Sequence, residues 1–341
     1  STNGHSMNCT RENSLELNQI ENEIENEIVS EKTMITFVRQ VLTLARISNL
    51  PTVWTNVSVA WAVNATASDS FKIMPEFGGL GFFDFEIFVF LITGASLVYA
   101  GGCTLNDAFD QEFDRVHNPT RPLPHGSISP QTVWILGFFE LLVGAILLIN
   151  LAGCEKNWVI ALLISVIFYD YIHKKWIGGI VVMGTCRLFL WLTAASAGNN
   201  TELAPQTWIW GIALTAYIIG ISLFARGESK KEEFSSRYSI LLLFSSPLLA
   251  LAFLIYWNQL DPIRVFLCNA TGLLIAWIAF SSIILMKEEK KGAIGSGVSR
   301  LLAGICALDA TAVSLYVPIL IAPVLCCLSI AVLLQKKFAA T

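Results

Sequence analysis

The chain is a succession of apolar runs, most of them about as long as a bilayer is thick. Eight runs, at about 47–67, 85–104, 132–151, 158–172, 177–197, 207–225, 239–257 and 263–286, precede a longer one at 301–334. A helix needs roughly 20 apolar residues to cross the hydrocarbon core. In lipid, backbone amides must be satisfied within the structure, which leaves helices and closed barrels as spanning elements. Runs of this length and texture read as helices. The expected fold is therefore all-α, a polytopic transmembrane helix bundle. Composition agrees: 54% of the 341 residues are hydrophobic, 14% are charged, and the mean hydropathy is +0.61. Soluble globular proteins seldom combine those values. The last run contains Pro318 and Pro323 and is too long for one ordinary span, so it is either two helices or one broken helix.

Residues 1–32 have a different character. The stretch from Glu21 to Ile28 alternates acidic, amide and isoleucine residues without an aromatic, as a tail or short amphipathic helix would. We divide the chain into an acidic, flexible tail at 1–32 and a transmembrane domain at 33–341. No basic stretch followed by an apolar core marks a cleaved signal peptide. The sequence begins at Ser1 with a methionine at Met7, so its natural start is not fixed.

Basic residues set the orientation. Lys32, Arg39 and Arg46 precede the first run; Arg115 and Arg121 follow the second; His173, Lys174 and Lys175 follow the fourth; Arg226, Lys230, Lys231 and Arg237 follow the sixth; Lys287, Lys290, Lys291 and Arg300 follow the eighth. The intervening connections are nearly bare. By the positive-inside rule, the N-terminus and the even-numbered connections are cytoplasmic. Lys336 and Lys337 at the end also read as inside, which favours two final spans and about ten in all. A net charge of -4 with no basic cluster points to no nucleic-acid partner. The eight cysteines show no C-x-x-C spacing and lie mostly in apolar runs, so neither a zinc site nor a disulfide framework is expected.

The chemistry gathers on the cytoplasmic side. Asn106, Asp110 and Asp114 recur every four residues at the end of the second run. On a helix each step advances about 400°, so the three share one face. Oxygen-bearing side chains at the mouth of a span are costly unless they bind something. Hard oxygen ligands with positions left open suit Mg²⁺ shared with a diphosphate. A solvated acidic loop is the plain alternative. The segment 115–126, rich in proline, then offers Arg115 and Arg121 as forks for phosphate oxygens or as topology markers. Lys174, after Tyr169, either neutralises an anionic leaving group or lies at the lipid headgroups. Glu228 and Glu232, again four apart, follow the sixth run as a second metal pair or as a charged loop. Two carboxylate clusters with nearby cations on one membrane face are what diphosphate ionisation requires.

The pattern Asn106-x-x-x-Asp110-x-x-x-Asp114 followed by Asn118-Pro119-x-Arg121-Pro122-x-x-x-Gly126 resembles the first signature of the UbiA superfamily of intramembrane prenyltransferases. The segment from Arg46 through Asn49-Leu50-Pro51 to Asn56 resembles that family's first helix. Tyr169 with Lys174 resembles its tyrosine-lysine element, and Met183-Gly184-x-x-Arg187 resembles a further segment. The resemblance implies nine transmembrane helices, a central cavity under a cytoplasmic cap, and Mg²⁺-dependent transfer of a prenyl group from a polyprenyl diphosphate to a small, typically aromatic, acceptor. It implies that Asn106, Asp110 and Asp114 hold one Mg²⁺ and Glu228 with Glu232 a second. It further implies that Arg46 and Lys174 oppose the diphosphate, that Arg115, Arg121 and Arg187 contact substrate, and that the Tyr169 ring faces the allylic cation. Asn56 either contacts the substrate or bonds another helix. The sequence departs from most relatives in carrying Glu228-x-x-x-Glu232 in place of an aspartate pair, and Ala225-Arg226-Gly227-Glu228 resembles the EboC-like branch. The longer side chain shifts the carboxylate by roughly an ångström, which makes a non-catalytic isoprenoid or lipid carrier the rival reading. Phospholipid alcohol transferases are disfavoured because their D-G-x-x-A-R pattern is absent.

Overall fold

The computed structural model describes residues 34–67, 81, 83–119, 121–174, 176, 178–230, 233–256, 260–287 and 292–338, with backbone alone at 225–230 and 233–237. The expected tail at 1–32 lies outside the described residues. The regular elements are helices: α1 Met34–Leu44, α2 Leu50–Thr66, α3 Phe85–Phe109, α4 Gln111–His117, α5 Pro130–Ile146, α6 Lys156–Ile172, α7 Gly179–Ala195, α8 Pro205–Lys230, α9 Glu233–Leu243, α10 Ser245–Tyr256, α11 Pro262–Met286, α12 Ala293–Ala303, α13 Ile305–Tyr316 and α14 Ile321–Gln335. Among the described residues, six helical stretches are long and apolar enough to cross a bilayer. The last apolar run is resolved into two of them, Ala293–Tyr316 and Pro318–Gln335. Pro318 lacks the amide that would continue the preceding helix, and a short 3-10 turn from Pro318 to Leu320 redirects the chain.

Local chemistry starts the helices where the membrane begins. Asp84 caps α3 by accepting from the amides of Glu86 and Ile87. Ser129 does the same for α5 at Thr132, and Asp261 for α11 at Ile263. Pro130, Pro205 and Pro262 stand at the first helical positions, where no amide partner is lost. The helix α11 shows the resulting two-faced pattern. Phe266, Leu273, Trp277, Phe280 and Ile284 are exposed along one side, where lipid would lie, while Thr271, Ile275, Ala279 and Ser282 are buried.

At the core of the bundle run α2 and α13. Every residue of α13 is buried, and α2 packs on α3, α7, α13 and α14. In a membrane, helices gain little from apolar attraction alone and approach closely where side chains are small. The α3–α5 pair is built this way. Gly94 and Gly101 of α3 face Gly144 and Gly137 of α5, and a Cβ on Gly101 would lie 2.8 Å from the Gly137 carbonyl oxygen. This close pair holds the end of α3 in place, and that end carries the polar chemistry.

The connections sort to two ends. The loops after α5 and α7 are bonded to each other, Gly198 N to the Ala152 carbonyl at 2.9 Å and Asn199 N to that of Gly153 at 2.8 Å. The segments after α3 and α6 meet through the polar cluster described next.

Candidate active site

The cluster begins at a break in the chain. The helix α3 ends at Phe109, and Asp110 (φ −86°, ψ 2°) links it to α4. The four-residue register nevertheless persists in the backbone: the amides of Asp110, Asp114 and Asn118 bond to the carbonyls of Asn106, Asp110 and Asp114 at 3.0, 2.8 and 2.8 Å. Asn106, Asp110 and Asp114 are all buried.

Each is held by a different partner. Asn106 Oδ1 accepts from Arg46 Nη2 at 3.0 Å, and its Nδ2 donates to Asp170 Oδ1 at 3.0 Å. Asp110 Oδ2 is 3.1 Å from His173 Nε2 and 3.3 Å from Lys174 Nζ. Asp114 accepts from Arg121 Nη1 at 2.6 Å and from Asn118 Nδ2 at 2.8 Å. Asp107 lies between two cations, Arg46 at 3.4 Å and Arg121 at 3.3 Å. Lys174 also sits 3.9 Å over the Phe113 ring, and Tyr169 stacks on His173 with centroids 4.9 Å apart. Burial pushes the Asp110 carboxyl up, but the His173 hydrogen bond and the charges of His173 and Lys174 outweigh it and hold the group below the ordinary carboxylate range.

Arg46 reaches this cluster by an unusual backbone. Its φ of 45° and ψ of 51° are left-handed, a conformation costly for a residue with a Cβ, and it starts the 3-10 turn Ile47–Asn49. The turn connects α1 to α2.

The sequence-predicted residues fall into two groups. Arg46, Asn106, Asp110, Asp114, Arg121, Tyr169 and Lys174 come together at the junction of α3, α4 and α6. Asn56 and Arg187 meet each other deeper in the bundle, with Arg187 Nη1 2.8 Å from Asn56 Oδ1. Arg115 is exposed on α4 and makes no ion pair among the described residues. Glu228 lies on α8 with only its backbone described, and Glu232 lies outside the described residues, so the expected second carboxylate pair has no side-chain account. Sequence reasoning passed over Asp107, Asp170, His173 and Asp309. Asp309 carried a signal, an acid inside an apolar run, which in a membrane protein marks function by default.

A divalent cation is compatible with this donor set, although no three His, Cys, Asp or Glu side chains among the described residues are gathered as a metal-binding group. The donors are hard oxygens, as Mg²⁺ prefers. Asp170 Oδ2 is buried with no hydrogen-bond partner beside Asn106, an acceptor left for a cation. Cavities of about 550 Å³ (around Asn64 and Glu202) and 400 Å³ (around Ile209 and Phe253) lie elsewhere in the bundle.

Residues 77–296 match the sequence model of the UbiA prenyltransferase family. Among curated proteins, the chain is 35% identical over 134 residues to the digeranylgeranylglyceryl phosphate synthase of Methanopyrus kandleri, covering 37% of this chain and 46% of that one. It is 40% identical over 131 residues to the enzyme of the same name from Metallosphaera sedula, covering 37% and 44%. The chain thus spans less than half the length of these relatives. In fold it is similar to a solved digeranylgeranylglyceryl phosphate synthase (TM-score 0.56, 19% identity, 82% of this chain and 98% of that one). It is similarly close to a UbiA homologue from Aeropyrum pernix in the apo state (TM-score 0.56, 13% identity, 78% and 96%).

Proposed function

The chain belongs to the UbiA prenyltransferase family, and on that premise we propose that it transfers a prenyl group from a polyprenyl diphosphate to a small acceptor within the membrane, at a site facing the cytoplasm. The observation that carries this reading is the cluster at the end of α3, where Asn106, Asp107, Asp110, Asp114 and Asp170 interleave with Arg46, Arg121, His173 and Lys174.

The reaction breaks a carbon–oxygen bond to give an allylic cation and a diphosphate anion. Arg46 binds the diphosphate as a planar fork and Lys174 as a point charge, and Arg121 orders the proline-rich loop over it. Asn106, Asp110 and Asp114 would hold one Mg²⁺, and Glu228 with Glu232 a second. Bound there, Mg²⁺ neutralises charge on the leaving diphosphate. The Tyr169 ring presents its face to the developing cation. His173 fixes Asp110 through its 3.1 Å contact to Oδ2. The apolar bundle takes the hydrocarbon chain and keeps water from the cation.

The acceptor class is a small aromatic or, after the names of the curated relatives, a prenylated glyceryl phosphate. A carrier on the same scaffold is the second reading. It is favoured by the pairing of Asp107, Asp110 and Asp114 with the chain's own cations. The decisive experiment measures diphosphate release from geranylgeranyl diphosphate with and without Mg²⁺. We expect Asp110→Asn to lower Mg²⁺-dependent turnover by roughly a hundredfold or more, the scale of a key electrostatic contact. A folded Asp110→Asn protein with full activity would end the reading. Lipid binding that ignores Mg²⁺ and Glu228→Gln, with no diphosphate release, would favour the carrier.

A further inference from the structure

A second polar network lies inside the bundle, away from the α3 end. Asp309 on α13 is fully buried. Asn56 on α2 donates through Nδ2 to both of its carboxylate oxygens, at 2.9 and 2.7 Å. That leaves Asn56 Oδ1 to accept from Arg187 Nη1 on α7 at 2.8 Å. Arg187 Nη2 reaches Thr52 Oγ1 at 3.2 Å, and Thr52 in turn donates to the Asn49 carbonyl. The guanidinium lies 5.5 Å from the Tyr99 ring centroid. Asp309 and Asn56 both lie outside the segment 77–296 that matches the family.

The charges of this network are arranged unlike those of the α3 end. There, Arg46, Arg121 and Lys174 are each within ion-pair distance of a carboxylate. Arg187 is half-buried, yet among the described residues no carboxylate lies within ion-pair distance of it, and its hydrogen-bond partners are neutral oxygens. Its only described link to a carboxylate runs through Asn56 to Asp309, and a cation at membrane depth without a direct ion pair is costly. Tyr99 and Asn106 are seven residues apart on α3, about 10 Å along the helix, so the ring that Arg187 approaches belongs to a residue deeper in the bundle than Asn106.

Resting on the prenyltransferase reading, we propose that Asp309 is a positioning residue that, through Asn56, holds Arg187 ready for an anionic phosphate or carboxylate group of a bound substrate. The logic is one of hydrogen-bond polarity. A carboxylate only accepts, so Asp309 forces the Asn56 amide nitrogen toward itself and its carbonyl oxygen toward Arg187. An asparagine at 309 both donates and accepts. The Asn56 amide is then free to flip and present its nitrogen to the guanidinium, which unseats Arg187 without removing volume or charge from Arg187 itself.

The anion has two sources, the diphosphate of the donor or an acidic group on the acceptor. Three probes separate them: geranylgeranyl diphosphate, a single-chain glyceryl phosphate lipid, and uncharged geranylgeraniol, each titrated against the full chain in nanodiscs. In Asp309→Asn we expect about tenfold weaker binding of at least one anionic probe, with geranylgeraniol unchanged; the probe that weakens identifies the source. Arg187→Gln should lose the same affinity, and the double variant should lose no more than Arg187→Gln alone, since Asp309 acts through Arg187. If Asp309→Asn does not accumulate as folded protein, Asn56→Ser breaks the same link and should give the same loss. Wild-type affinity of both anionic probes for a folded Asp309→Asn or Asn56→Ser, or an equal loss of geranylgeraniol, overturns the proposal alone. A wild-type protein that binds neither anionic probe overturns it together with the prenyltransferase reading.

Discussion

At the residue scale, the α3 end is a set of buried acids each neutralised by a cation from another segment. Asp114 is the clearest case, with 1% of its side chain exposed and Arg121 at 2.6 Å. A buried pair gains little over an apolar pair, but removing one member leaves the other charged and desolvated. Arg121→Ala is therefore expected to destabilise the fold by about 3 kcal/mol, near the low end for such losses because Asn118 still donates to Asp114. Reversible unfolding in mixed micelles measures this, and Asp114→Asn introduced alongside should recover most of the loss. An Arg121→Ala protein as stable as the parent would show that Asp114 is solvated rather than buried.

At the element scale, the α3–α5 seam decides where that cluster sits. Gly94, Gly101, Gly137 and Gly144 let the two backbones touch, and the atoms nearest a new Cβ at 101 include the Gly137 carbonyl and the Leu141 amide, which cannot rotate away. Gly101→Ala should cost about 1–3 kcal/mol by forcing the helices apart. Gly295 on α12 meets nothing within 4 Å, so Gly295→Ala should be neutral or stabilising by up to about 1 kcal/mol. Thermal denaturation of the two variants side by side tests the seam. Equal stability of both would mean that the helices separate without cost.

At the scale of the whole molecule, the bundle places the polar cluster and the bare loops at different ends. The pairing of Gly198 with Ala152 and Asn199 with Gly153 ties two bare loops together, while Asp110 with His173 ties the segments after α3 and α6. By the positive-inside rule the second end is expected to face the cytoplasm. A membrane-impermeant maleimide applied to intact cells should therefore label Asn200→Cys and spare Glu112→Cys, two positions exposed on the structure. Labelling of Glu112→Cys from outside would invert the orientation and move the candidate site to the opposite face.

The sequence by itself determined that the chain is a membrane helix bundle, because run length and the lack of water in lipid leave few alternatives. It also marked Asn106, Asp110 and Asp114, whose four-residue recurrence is a local signal that the backbone register preserves across the break at Asp110. The division of the last run was left open, and tertiary structure resolved it at Pro318. Which cation meets which acid was not legible: Arg46 and Asp107 are 61 positions apart, His173 and Asp110 63. Asp309 and Asn56 are 253 apart, and neither spacing nor period links them. Periodicity reports how one helix is faced, whereas these contacts depend on how α2, α7 and α13 are laid against each other. That arrangement exists only once the helices are packed against one another.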